Sequence, residues 1–424
     1  MKRGTGFIIA APSSGSGKTT ITLGILRAFK RLGVDIRGAK SGPDYIDPRF
    51  HEAASGMPCF NLDAWAMSPE RITSLAAGET PLVIEGAMGL FDGAPPDGRG
   101  SVADLARQLC LPVVLVVDAS RIAQSIAPMV IGFAQFDSDV HVAGVILNKV
   151  GSARHETILR RALMPSGLPV LGAIPRSEGV VQPSRHLGLV QAQEREDLDV
   201  FIESAADLVA NNIDLDLLSG LSQPLPTTET ARKIAPPAQR IAIARDNAFA
   251  FAYPHLLQDW QSQGAEISVF SPLNDDPVPE CDFIFLPGGY PELHAGHLAQ
   301  TRSFMPSLRE AAAHTQIYGE CGGYMLLGDG LVDTGGTQHQ MAGLLRLETS
   351  FEQRKLHLGY RQLQATTGLF AGTWSAHEFH YASTLNATGT PLFQAQDAQN
   401  IALPAMGLTL GNVAGSFAHI IDVT

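Results

Sequence analysis

The sequence predicts an α/β protein of two domains in series, on three observations. Between roughly residue 5 and residue 175, short apolar runs alternate with longer segments of helical periodicity, the pattern of a parallel sheet covered on both faces. A second α/β series starts near residue 240, after a stretch rich in Pro, Ser, Thr and Ala. The chain has 424 residues, more than one ordinary hydrophobic core organises.

These shifts divide the chain into residues 1–222, a linker at 223–239 carrying Pro224, Pro226, Pro236 and Pro237, and residues 240–424. In the first part, residues 6–11, 34–39, 82–85, 113–118, 142–148 and 170–174 read as strands. Residues 19–32 read as the helix after the first strand, with Ile21, Ile25, Leu26 and Phe29 near helical spacing. The second series runs through 240–244, 283–287 and 317–319. Ligands then belong at the carboxyl ends of the first strands, where the loops carry Gly15, Asp44 and Glu85. No internal repeat relates the halves, so they read as different domains.

A composition of 45% hydrophobic and 17% charged residues suits a globular enzyme. No apolar run is long enough for a bilayer and the N-terminus lacks the order of a signal peptide, so the expected location is the cytoplasm, without membrane partners. Cys59, Cys110, Cys281 and Cys321 form no Cys-x-x-Cys pair, which argues against a zinc site or a disulfide framework; the first three read as buried, inert thiols. A net charge of -12 argues against nucleic-acid binding, and an anionic substrate would need local cations.

A phosphate loop needs glycines for close backbone approach, a lysine for the outer phosphates and a hydroxyl for a metal ion. The run Pro12-Ser13-Ser14-Gly15-Ser16-Gly17-Lys18-Thr19-Thr20 supplies them between a strand and a helix, with Pro12 at the usual first glycine. Gly15, Ser16, Gly17, Lys18, Thr19 and Thr20 are therefore candidate ATP-binding residues. Glu85 ends an apolar strand and, with Thr19 and Asp44, makes a plausible oxygen set for Mg2+. The loop Lys40-Ser41-Gly42-Pro43-Asp44-Tyr45-Ile46-Asp47-Pro48-Arg49-Phe50-His51 is constrained by Gly and two Pro. Lys40 can stabilise a γ-phosphoryl in flight, while Asp44 and Asp47 can hold metal or manage the proton of incoming ammonia.

A different chemistry marks the second half. Cys321 lies in Gly319-Glu320-Cys321-Gly322-Gly323-Tyr324, a strand-to-helix turn that exposes sulfur at a helix N-terminus, where thiolate is favoured. Upstream, Leu286-Pro287-Gly288-Gly289-Tyr290 can offer backbone N–H groups to an oxyanion, with Gly288 and Gly289, and Gly322 beside the cysteine, allowing close approach. Two such sites imply coupled half-reactions: ATP activates a carboxylate at one, and a thiolate releases ammonia from glutamine at the other.

Together, Gly15-Ser16-Gly17-Lys18-Thr19-Thr20, Lys40-Ser41-Gly42-Pro43-Asp44-Tyr45-Ile46-Asp47, Glu85-Gly86-Ala87-Met88-Gly89-Leu90-Phe91-Asp92-Gly93 and Pro183-Ser184-Arg185-His186-Leu187-Gly188-Leu189 resemble the cobyrinic and hydrogenobyrinic acid a,c-diamide synthases. The resemblance covers both domains. The N-terminal half is also similar to dethiobiotin synthetase, and the cysteine turn with its glycine partner resembles class I glutamine amidotransferases. Ser13 replaces the extra lysine of sandwich-dimer ATPases.

The resemblance implies that ATP phosphorylates the c and then the a carboxylate of a corrin ring and that ammonia displaces phosphate from each acyl phosphate, in cobalamin biosynthesis. It implies roles for Asp44, Asp47 and Glu85 in this activity and substrate contacts for Tyr45 and Asp92. Asn148 resembles an adenine-reading asparagine, with a strand-end turn as the other reading. His419 is selected as the base for Cys321, but where many amidotransferases carry glutamate two residues later this chain has Ile421. A cysteine–histidine dyad, or an acid from elsewhere, must replace the usual triad. His377-Glu378-Phe379-His380 lacks the spacing of a zinc motif and reads as packing or corrin contact. The implied partners are glutamine and a tetrapyrrole polycarboxylic acid, with a homodimer possible. Amidation of a nickel sirohydrochlorin and a nucleotide-gated scaffold with a decayed amidase domain are the alternatives.

Overall fold

The apolar run that follows Gly4 forms β1 (Thr5–Ala10), buried along its whole length at the centre of a parallel sheet. Around it lie β2 (Arg37–Ser41), β3 (Phe60–Leu62), β4 (Leu82–Glu85), β5 (Val113–Asp118), β6 (Val142–Val150) and β7 (Val170–Pro175), in the order β3-β2-β4-β1-β5-β6-β7. A short antiparallel strand, β8 (Gln223–Pro224), adds to β1. This computed structural model describes residues 1–177, 184–185, 188–227 and 231–424. The chain divides into two compact units, Met1–Arg232 and Lys233–Thr424.

Parallel neighbours require crossovers, and helices supply them. The first, α1 (Lys18–Arg31), buries Ile21, Ile25, Leu26 and Phe29 against the sheet. The next, α2 (Asp47–Ser55), starts with Pro48 at its first turn and stops at Gly56, whose φ of 79° suits glycine. The loops after β1, β2 and β4 open at one sheet edge, the ligand edge of such folds. The strand expected at 34–39 begins only at Arg37: Val34 instead closes the turn after α1, its N–H donating to the Phe29 carbonyl.

In the second unit, β9 (Arg240–Ala244), β10 (Glu266–Phe270), β11 (Phe283–Leu286) and β12 (Gln316–Glu320) are parallel. An antiparallel extension follows, made of β13 (His357–Ala365), β14 (Gly372–His380), β15 (Thr390–Asp397), β16 (Ala402–Leu410), β17 (Val413–Ser416) and β18 (Ala418–Val423). The full order is β10-β9-β11-β12-β17-β16-β15-β13-β14-β18. Here β17 pairs parallel with β12, and the chain then returns through β18, which pairs with β14. Phe249, Ile284, Leu286, Phe304, Leu308 and Leu326 build this unit's own core.

All four cysteines are free thiols. Cys110 is exposed at the end of a helix and Cys281 is half-buried, so the expectation of three buried thiols holds only for Cys59. The side chains of the 183–189 motif lie outside the described residues. Among the described residues, no helix is long and apolar enough to cross a membrane.

Candidate active sites

The loop after β1 is held open by its own glycines and by the end of β6. Gly17 has φ 92°, and a Cβ there would lie 2.2 Å from the Asn148 amide nitrogen. That nitrogen donates to the Ser16 carbonyl at 2.8 Å, while Lys149 Nζ reaches the Gly15 carbonyl at 2.9 Å and Asp118 at 2.6 Å. Lys18 Nζ donates to the Met88 carbonyl at 2.5 Å. Burial, and then the like charge of Lys40, lower the Lys18 pKa to about 8. Around these groups lies a cavity of about 920 Å³, bordered by Gly15, Lys18, Thr19, Lys40, Asp44 and Glu85, a size that suits a nucleotide.

Register places the buried charges. Lys40 and Glu85 are direct partners across β2 and β4, so their side chains emerge together. Lys40 Nζ lies 2.7 Å from Glu85 Oε1 and 2.6 Å from Asp47 Oδ2, and Thr19 Oγ1 donates to Glu85 Oε1 at 2.6 Å. Burial alone would lower the Lys40 pKa, but Asp47 and Glu85 raise it well above the ordinary value. Glu85 is fully buried, which opposes ionisation; Lys40 and His51 overcome that and hold it far below the carboxylate range. Asp47 goes the other way, raised to about 6 by burial and the nearby Asp44 charge.

The two remaining acids differ in exposure and use. Asp44 Oδ1 accepts from the N–H groups of Ile46 and Asp47 at 2.8 and 3.0 Å, shaping the start of α2, and Asp44 also borders the cavity. Asp92 is exposed, and its Oδ2 accepts from the Gly89 N–H at 2.9 Å; Tyr45 is half-buried beside Asp44. Thr19 Oγ1 lies 3.4 Å from Asp47 Oδ2 and 2.6 Å from Glu85 Oε1, so the hard oxygens beside Thr19 are those of Asp47 and Glu85 rather than of the expected Asp44, and Asp47 Oδ1 is buried with no hydrogen-bond partner. That donor chemistry fits Mg2+. His51, left without a role on sequence grounds, meets Glu85 Oε2 through Nε2 at 2.7 Å.

The second site forms where β12 turns into a short helix, α3 (Gly322–Leu327). Cys321 sits at the elbow with φ 46° and ψ -99°, outside the usual regions for a side-chain-bearing residue. Glycines make this turn fit: a Cβ on Gly323 would lie 1.9 Å from the Leu286 carbonyl oxygen. A Cβ on Gly288 would lie 2.9 Å from His419 Nε2 and 3.3 Å from Cys321 Cβ, so His419 and Cys321 both border a position that glycine leaves open. One on Gly322 would lie 3.0 Å from the Gly289 nitrogen, placing these two glycines side by side.

Burial and the Glu292 carboxylate push the Cys321 thiol well above its ordinary value. That direction opposes the pull toward thiolate expected of the turn, which the Gly322 N–H still supplies in part. His419 is fully buried; burial, then His377 and His380, lower it to about 3. The His377 to His380 segment lies in β14, where His377 is the register partner of His419 and the Phe379 carbonyl is 3.9 Å from Cys321 Sγ. Glu378 is clamped by Arg361 at 2.7 Å and His380 at 3.0 Å, and His380 stacks on Phe417 at 3.9 Å.

Fold and sites define a glutamine-hydrolysing amide ligase, a nucleotide-binding domain joined to an amidotransferase domain. Residues 7–190 match the CobQ/CobB/MinD/ParA nucleotide binding domain, and residues 240–422 match the CobB/CobQ-like glutamine amidotransferase domain. The chain is 55% identical to a hydrogenobyrinate a,c-diamide synthase of Brucella anthropi, with 98% of each chain covered. It is 51% identical to that of Rhizobium meliloti, over 98% of this chain and 99% of the relative, and 48% identical to that of Rhodobacter capsulatus, over 98% of both. The chain belongs to the hydrogenobyrinate a,c-diamide synthase family.

Proposed function

We propose that the protein uses ATP and glutamine to convert the a and c carboxylates of hydrogenobyrinic acid, or its cobalt-containing counterpart, to amides in the cytoplasm. The observation that carries this reading is the Thr19, Lys40, Asp47 and Glu85 cluster, set beside a nucleotide-sized cavity in a chain that also holds a cysteine elbow.

A substrate carboxylate oxygen attacks the γ-phosphorus, forming an acyl phosphate and releasing ADP. Ammonia then attacks the acyl carbon, phosphate departs with the C–O bond electrons, and the nitrogen loses a proton to give the amide. Lys18 and Lys40 offer positive charge to the transferring phosphoryl group. Thr19, Asp47 and Glu85 would hold Mg2+, which neutralises phosphate charge when bound. Asp44 shapes the loop that presents Asp47. In the other unit, Cys321 attacks the glutamine amide carbon, ammonia leaves, and water hydrolyses the thioester to glutamate; His419 moves the protons and the N–H groups near Gly288, Gly289 and Gly322 receive the oxyanion.

Cys321→Ala should abolish synthesis from glutamine while leaving synthesis from free ammonia within about twofold. Glu85→Gln or Asp47→Asn should lower synthesis from both nitrogen sources by about a hundredfold or more. Equal loss of both activities in Cys321→Ala would refute the division of labour. Product masses after incubation with hydrogenobyrinic acid, cobyrinic acid and nickel sirohydrochlorin test the ring assignment.

A further inference from the structure

Two residues after His419 stands Ile421, fully buried and apolar, which cannot orient an imidazole. Asp422 Oδ1 accepts from the Val423 N–H at 2.9 Å. Another acid does face the ring. Glu320 Oε2 lies 3.6 Å from His419 Nδ1, while Glu320 Oε1 accepts from the Ile420 N–H at 3.0 Å. Both side chains are sealed from solvent, at 2% and 0% exposure. The histidine is therefore approached from two sides: its Nδ1 faces Glu320, and its Cε1–Nε2 edge faces the Gly288 position that borders Cys321.

We infer that Glu320, the residue before the nucleophile, is the positioning carboxylate for His419, replacing the acid that other amidotransferases carry beyond the histidine. The inference rests on the reading of Cys321 and His419 as nucleophile and base. At 3.6 Å, longer than a hydrogen bond, Glu320 acts on the ring as a facing charge: its carboxylate favours the proton on Nδ1 and stabilises the imidazolium that transfer of the thiol proton to Nε2 creates. Burial lowers His419 to about 3 and raises Glu320 to about 8, so each charge is disfavoured singly and opposite charges offset that cost only as a pair. Other groups facing His419 are His377 and His380, which oppose its charge, and Glu378 and the Phe251 backbone, which favour it. Glu292, Glu378 and Glu320 face Cys321. Glu320 reaches both the ring and the strand that bears it because β12 and β17 pair in register, Glu320 with Ser416, three residues before His419.

The test is Glu320→Gln in the full chain, which keeps size and removes charge. Expected are a fall in glutamine-dependent kcat of about tenfold or more, a glutamine KM within about threefold, and ammonia-dependent synthesis within about twofold. The pH midpoint for alkylation of Cys321 by iodoacetamide should move upward. Unchanged kcat and alkylation profile would overturn the inference, as would loss of ammonia-dependent synthesis in parallel, which would make Glu320 a structural residue only. Glu320→Asp, which keeps the charge on a shorter arm, should fall between parent and Gln variant; equality with Gln in both readouts would also count against it. Cys321→Ala separates this inference from its premise: if that variant still used glutamine the nucleophile assignment would fail, whereas an inactive Cys321→Ala beside a normal Glu320→Gln removes only Glu320.

Discussion

Lys40, Asp47, Glu85 and His51 form a buried polar network in which each member depends on the others. Glu85 has one oxygen on Thr19 and Lys40 and the other on His51, so its negative charge is fully partnered without solvent. Removing His51 strands one of those oxygens. His51→Ala should destabilise the first unit by about 1–3 kcal/mol, read as a lower urea midpoint, and His51→Gln should recover part of the loss by restoring a donor. Lys18 carries a different signal. Its pKa of about 8 lies below the ordinary lysine value, so near pH 8.5 much of it is neutral in the free protein. Phosphate oxygens favour the ammonium form, which raises that pKa. ATP binding near pH 8.5 should therefore take up protons, seen as a binding enthalpy that depends on buffer ionisation heat, while Lys18→Met should show no such uptake.

At the scale of elements, two strand pairings do what no local motif can. The β2 and β4 register sets Lys40 against Glu85, and the β12 and β17 register brings Glu320 to the start of the His419 strand. Gly288 holds the space that His419 and Cys321 border. A methyl there would lie 2.2 Å from His419 Cε1, so Gly288→Ala should displace the ring and cut glutamine-dependent synthesis by about a hundredfold, with ammonia-dependent synthesis retained. The strands 82–85 and 113–118, the phosphate loop and the cysteine turn were all legible in the sequence because each is a local pattern: an apolar run, or glycines at fixed offsets. What stayed hidden is non-local. His51 and Glu85 are 34 residues apart and Glu320 and Ile420 are 100 apart; the packing of α2 on β2 joins the first pair and sheet register the second. The antiparallel extension was hidden for another reason. In β13 and β15, buried Leu363, Ala365, Phe393 and Ala395 alternate with exposed Gln364, Gln394 and polar neighbours, a weaker signal than the continuous apolar runs of the parallel strands.

At the scale of the molecule, the net charge of -12 makes the buried cations Lys18 and Lys40 exceptions placed where anions must arrive. Each unit also has its own core and, on the proposed reading, its own ligand. Phe7, Ile8 and Ile9 belong to the first core, and Phe249, Ile284 and Leu286 to the second. A ligand that binds one folded unit stabilises that unit by mass action, about 2.7 kcal/mol at a hundredfold excess over Kd. For units of this size that corresponds to a rise of about 5–10 °C in the melting transition. Calorimetric scans with ATP and Mg2+ should therefore raise one transition, and covalent trapping of Cys321 by a diazoketone analogue of glutamine should raise the other. Lys18→Met should lose only the first shift and Cys321→Ala only the second. A single transition that responds equally to both ligands would show that the two units unfold as one cooperative block.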